Sequence, residues 1–69
     1  MGSYKENYEK SLIKLKMYLK VMNDVPTEYQ WNRYATVEKL LSSKSMEYGY
    51  GNYFNKMCKE LIRKINIEK

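Results

Sequence analysis

The residues here with chemistry to offer are one cysteine, Cys58, one tryptophan, Trp31, eight tyrosines and thirteen Lys+Arg. Histidine is absent, which removes the commonest general base and the commonest metal ligand. No Ser/His or Cys/His nucleophile pair can therefore be assembled within the chain. A single cysteine with scattered carboxylates gives no zinc-ligand spacing. The expectation is a chain that is not an enzyme and that uses no cofactor, metal or small-molecule substrate. What remains is charge: thirteen Lys+Arg against eight Asp+Glu, net +5 over 69 residues. A small basic domain favours an anionic partner, nucleic acid ahead of a membrane surface. A net charge of this size also serves plain solubility.

The charge is unevenly placed. Residues 1–22 hold five lysines and two glutamates, and residues 52–69 hold four lysines, Arg63 and two glutamates, so each end is net +3. Between them, Arg33, Lys39 and Lys44 face Asp24, Glu28, Glu38 and Glu47, net −1. The positive field belongs to the outer segments.

These residues need elements to hold them, and the apolar spacing is helical throughout. Ser3 and Glu6 form a capping-box pair. Tyr4, Tyr8, Leu12, Leu15, Leu19 and Met22 then recur every three or four residues, which predicts a helix over about 4–22. Val25 before Pro26 is biased out of the helical region. Thr27 and Gln30 form a second box, opening a helix over about 28–41 with Trp31, Tyr34, Ala35 and Leu41 inward and Val37 at the margin. The serine run 42–45 breaks it and caps a short helix over about 43–48. Gly49 and Gly51 end that helix. Asn52 caps a last helix over about 53–66, with Phe54, Met57, Cys58, Leu61, Ile62 and Ile65 inward and Lys56, Lys59, Arg63 and Asn66 outward. The fold class is all-α: a single compact domain over residues 1–69, with three main helices and an additional short one.

Packing accounts for much of the chemistry-bearing set. Trp31 reads as core, and Cys58 as an inert core thiol. Tyr4, Tyr8, Tyr34 and Tyr53 fall at core spacings; Tyr48 and Tyr50 do not. On the first helix, Ile13, Met17 and Val21 repeat every four residues opposite the main stripe. They make a second apolar strip among Lys10, Lys14, Lys16 and Lys20, a candidate surface for a homodimer or a protein partner. A basic amphipathic helix on a membrane ranks below both, because the tyrosine stripe would compete for the same apolar environment; no apolar run approaches the ~20 residues of a spanning helix, and no signal-peptide core or myristoylation pattern is visible. A reducing, cytoplasmic setting is expected.

Residues 25–62 also carry an ordered set of elements. Val25-Pro26-Thr27 leads to Trp31 and Tyr34-Ala35, then to Ser42-Ser43-Lys44-Ser45-Met46, then to Tyr50-Gly51-Asn52-Tyr53. The set resembles a small helical DNA-binding repeat found beside homing endonucleases and in phage or mobile-element proteins. That family reads Pro-Thr, Trp, a Ser-Ser stretch, and an aromatic-Gly-Ser-Trp signature opening a final helix. The chain departs from it at Glu47-Tyr48-Gly49, where members tend to carry Arg or Lys. The resemblance implies a helix-turn-helix-like unit with residues 43–48 as its recognition helix. The hydroxyls of Ser42, Ser43 and Ser45 and the helix N-terminus would meet phosphates. Lys44 would add charge, and Tyr48 would reach a backbone or base edge. With Lys56, Lys59 and Arg63 of the last helix, these residues define the expected double-stranded-DNA surface of a transcription regulator or accessory factor from a phage or mobile element. The alternative is a protein-binding adaptor or inhibitor acting through Ile13, Met17 and Val21.

Overall fold

The computed structural model describes residues 3–67; residues 1, 2, 68 and 69 of the expected domain lie outside that description. It is all-α. In chain order come α1 (Tyr4–Met22), α2 (Glu28–Glu38), α3 (Ser43–Tyr50) and α4 (Phe54–Ile67), with no strand among the described residues. α1 packs on α3 and α4, and α3 packs on α2 and α4.

The starts and stops follow from local chemistry. Ser3 Oγ accepts the Glu6 N–H at 3.2 Å, one half of the expected box. Thr27 and Gln30 complete theirs in both directions, at 3.1 and 3.0 Å. α1 stops at Asn23, which takes a left-handed conformation (φ 53°) and donates its N–H to the Leu19 carbonyl. α2 ends at Glu38 rather than near Leu41. Lys39 turns left-handed (φ 58°), and the Leu40 N–H reaches back to the Ala35 carbonyl at 2.7 Å. That closure frees Leu40 and Leu41 to fold down onto the core, half-buried.

Leu15, Leu19, Trp31, Ala35, Met46, Phe54, Met57, Cys58 and Leu61 form the buried centre. Trp31 organises it: Tyr18, Tyr34 and Phe54 surround its ring with centroids 5.4–6.1 Å apart across the group. Leu41 is pinned through both backbone groups. Its carbonyl accepts the Trp31 Nε1–H at 3.1 Å, and its N–H donates to the buried Ser11 hydroxyl at 2.9 Å. A backbone pair taken out of water must find such partners, and here they fix the α2–α3 connection against α1.

The structure also departs from expectation at Gly49, Tyr4, Met22 and Tyr53. Gly49 does not end the short helix: α3 runs on to Tyr50 and closes at Gly51, whose φ of 85° suits glycine. Tyr4, Met22 and Tyr53, all read as inward, are exposed. Met22 is the last residue of α1, and Tyr53 precedes the first turn of α4, where helical spacing no longer applies.

Candidate nucleic-acid interface

The serine run at the start of α3 is mostly committed to holding α3. Ser42 is the N-cap; its hydroxyl accepts the Ser45 N–H at 3.4 Å and donates to Ser45 Oγ at 3.3 Å. Ser43 is fully buried: its N–H donates to Asn32 Oδ1 at 2.8 Å and its hydroxyl to Glu28 Oε1 at 2.9 Å. Ser43 is therefore not a phosphate contact but a joint between α2 and α3. With the N–H groups of Ser43 and Ser45 both taken by side chains, this helix start has little left for an outside anion.

Lys44 is exposed, yet its ammonium stands 3.5 Å from Glu47 and 3.9 Å from Glu28. Exposed pairs contribute little to stability, but two carboxylates cancel most of the local positive field. Glu47 itself is largely covered, and its other oxygen accepts the Phe54 N–H at 2.8 Å. The acid standing where the resembled repeat tends to carry a base is thus a cap for α4. Asn52, expected in that role, instead accepts the N–H of the next residue, Tyr53, on its side-chain Oδ1.

Tyr48 projects from α3, 83% exposed, its ring T-shaped against that of Tyr4 with centroids 5.7 Å apart. Tyr53 is 76% exposed across the α3–α4 turn. The two tyrosines and Lys44, Glu47, Gly51 and Asn52 line one open hollow. Tyr50, by contrast, packs against the core and donates its hydroxyl to Glu60 Oε1. That hydrogen bond, then burial, pushes its pKa up to about 12.

On α4, Lys56, Lys59 and Arg63 are all exposed and line a second shallow hollow with Glu60. Spaced i, i+3 and i+7, they share one face, and Tyr53 stands three residues before the first of them. None makes an ion pair among the described residues, where the pairs are those of Lys44. The inner face of the same helix holds Phe54, Met57, Cys58 and Leu61. Burial raises the Cys58 thiol to about 12, so it stays protonated and unreactive at neutral pH.

The structure thus divides the expected surface. Lys56, Lys59 and Arg63 form one row; Ser42 and Lys44 lie exposed at the start of α3 and Tyr48 in its last turn; Ser45 is half-buried and Ser43 is inside. Ile13, Met17 and Val21 are exposed on α1. Sequence reasoning missed Ser11, Asn32 and Glu28, polar residues whose roles depend on partners 11 to 30 positions away. No helix among the described residues is long and apolar enough to cross a membrane. Comparison with family models, with characterised proteins and with solved structures gives no match to this chain.

Proposed function

We propose that this chain is a small double-stranded-DNA-binding domain, of the regulatory or accessory kind its resemblance implies, whose phosphate contacts come mainly from α4. One observation carries the reading: Lys56, Lys59 and Arg63 stand in a row on one exposed helix face, with no carboxylate paired to them among the described residues. Cations left unpaired on a helix that is otherwise core-packed are suited to neutralising a polyanion. α3 and α4 are joined by Gly51, Asn52 and Tyr53, the connection length of a helix-turn-helix pair. In this reading α4 takes the recognition position, and α3, with Lys44 already paired, supplies only an edge contact through Tyr48.

The test is duplex binding at two salt concentrations by the parent and by a chain with Lys56→Gln, Lys59→Gln and Arg63→Gln. The parent should bind with a slope of log K against log[salt] near −2.7, at about 0.9 per neutralised phosphate. The triple variant should lose that binding while unfolding at the parent's midpoint. A parent that ignores duplex at low salt removes the proposal.

A further inference from the structure

The outer face of α1 has no role in packing or in the row on α4. Ile13, Met17 and Val21 are 60, 56 and 83% exposed, on the side turned away from the buried Leu15 and Leu19. Their spacing of four residues makes a continuous ridge of the kind that seats in the groove of a second helix. Lys10, Lys16 and Lys20 stand exposed around the ridge and Lys14 half-exposed at its side, and no acidic residue occurs between Lys10 and Asn23. Glu6 and Glu9 confine this positive stretch to the last turns of α1.

We infer that this face docks an acidic amphipathic helix of a partner protein, about three turns long, with apolar side chains along the Ile13–Met17–Val21 ridge and Asp or Glu at its margins. Charge decides among the occupants. A second copy of the chain would set the lysines of one ridge against those of the other, and like charges held together are unfavourable. A bilayer favours a broad apolar face with Trp, Phe or Leu; this ridge is narrow and carries none of the three. A nucleic acid would leave Ile13, Met17 and Val21 uncovered. A carboxylate-flanked helix satisfies ridge and lysines together.

The experiment titrates the full chain with an end-capped peptide of about 18 residues, long enough to be helical. It carries apolar residues four apart and glutamates on both flanks; a control peptide has every glutamate replaced by lysine. Amide chemical shifts report the site. The acidic peptide should saturate, shift residues around Met17, and bind about tenfold less tightly to the Met17→Asp chain and to the Lys16→Glu, Lys20→Glu chain. The lysine peptide should not bind. All substituted side chains are exposed, so unchanged helical circular dichroism in the variants confirms that folding is retained. The inference is overturned if the acidic peptide fails to bind or binds the variants equally well. It is also overturned if sedimentation shows a dimer that Met17→Asp dissociates, or if vesicles containing phosphatidylserine bind the parent and lose Met17→Asp. Duplex binding is scored separately on α4 variants, so the two proposals stand or fall apart.

Discussion

The carboxylate of Glu47 accepts the backbone N–H of Phe54 at 2.8 Å, so a side chain near the end of α3 caps the first turn of α4. Its second oxygen stands 3.5 Å from Lys44. The cap holds the Gly51–Tyr53 turn between two helices that pack on each other, while the ion pair stays within α3. Without Glu47, an N–H in a partly buried setting loses its partner.

Glu47→Ala should therefore cost about 0.5–2 kcal/mol, the range for loss of a helix N-cap, measured by urea unfolding. Glu47→Gln keeps a carbonyl acceptor and should lose less. Equal losses in the two variants would mean that charge, not the hydrogen bond, is what Glu47 supplies.

Gly49 carries the opposite sign from helix propensity. In an open helix Gly→Ala stabilises by about 1 kcal/mol. Here a Cβ on Gly49 would meet the Tyr4 hydroxyl at 2.7 Å and the Tyr8 ring at 2.7 and 2.8 Å. Gly49→Ala should therefore destabilise, by about 1–3 kcal/mol as overpacked sites do. Combined with Tyr8→Ala, the loss should be smaller than the sum of the two single losses. An additive double variant would mean that the rings of α1 do not press on α3.

Gly49 and Glu47 also mark how far the sequence could be read. Apolar spacing and capping residues are local signals, so together they located all four helices, and spacing placed Trp31, Cys58 and Leu61 inside, where the structure has them. It cannot distinguish three serines within four residues. Ser42 caps, Ser43 is buried and Ser45 sits between, because Asn32 and Glu28 of α2 lie over one of them only. A glycine reads as a stop until the tyrosines crossing it are known. An acid in a supposed DNA-facing helix reads as a defect until its N–H partner seven residues on is seen.

Stability should fall as pH rises above about 9. Burial raises Cys58 from 9.0 to about 12, and the hydrogen bond to Glu60, then burial, raise Tyr50 from 10.0 to about 12. A raised folded pKa means that the folded chain holds its proton more tightly than the unfolded one. The contribution is thus full below the unfolded pKa and is lost as pH climbs through the folded value. Urea midpoints taken from pH 8 to 11 should drop steadily, and less steeply in Tyr50→Phe. A Tyr50→Phe profile parallel to the parent's would show that the Glu60 contact does not persist in solution. In the native chain at pH 8, Cys58 should also resist alkylation until denaturant is added.

Two lysines report which helix meets the duplex. Lys44 on α3 and Lys59 on α4 are both exposed lysines, but their surroundings differ. Lys44 shares its charge with Glu28 and Glu47, so its ammonium is largely neutralised before any DNA arrives. Lys59 has no ion pair among the described residues and stands between Lys56 and Arg63. A phosphate contact releases a counterion only where the cation is free to take its place. Lys59→Ala should therefore reduce the salt slope by about 0.9 and weaken binding across all duplex sequences alike. Lys44→Ala should leave the slope almost unchanged. Glu28→Gln should strengthen binding slightly by releasing Lys44. Both lysine variants should unfold at the parent's midpoint, since exposed substitutions of this kind stay within about 0.5 kcal/mol. If Lys44→Ala carries the larger slope change, α3 is the element that meets DNA, and the row on α4 is only a solvated face.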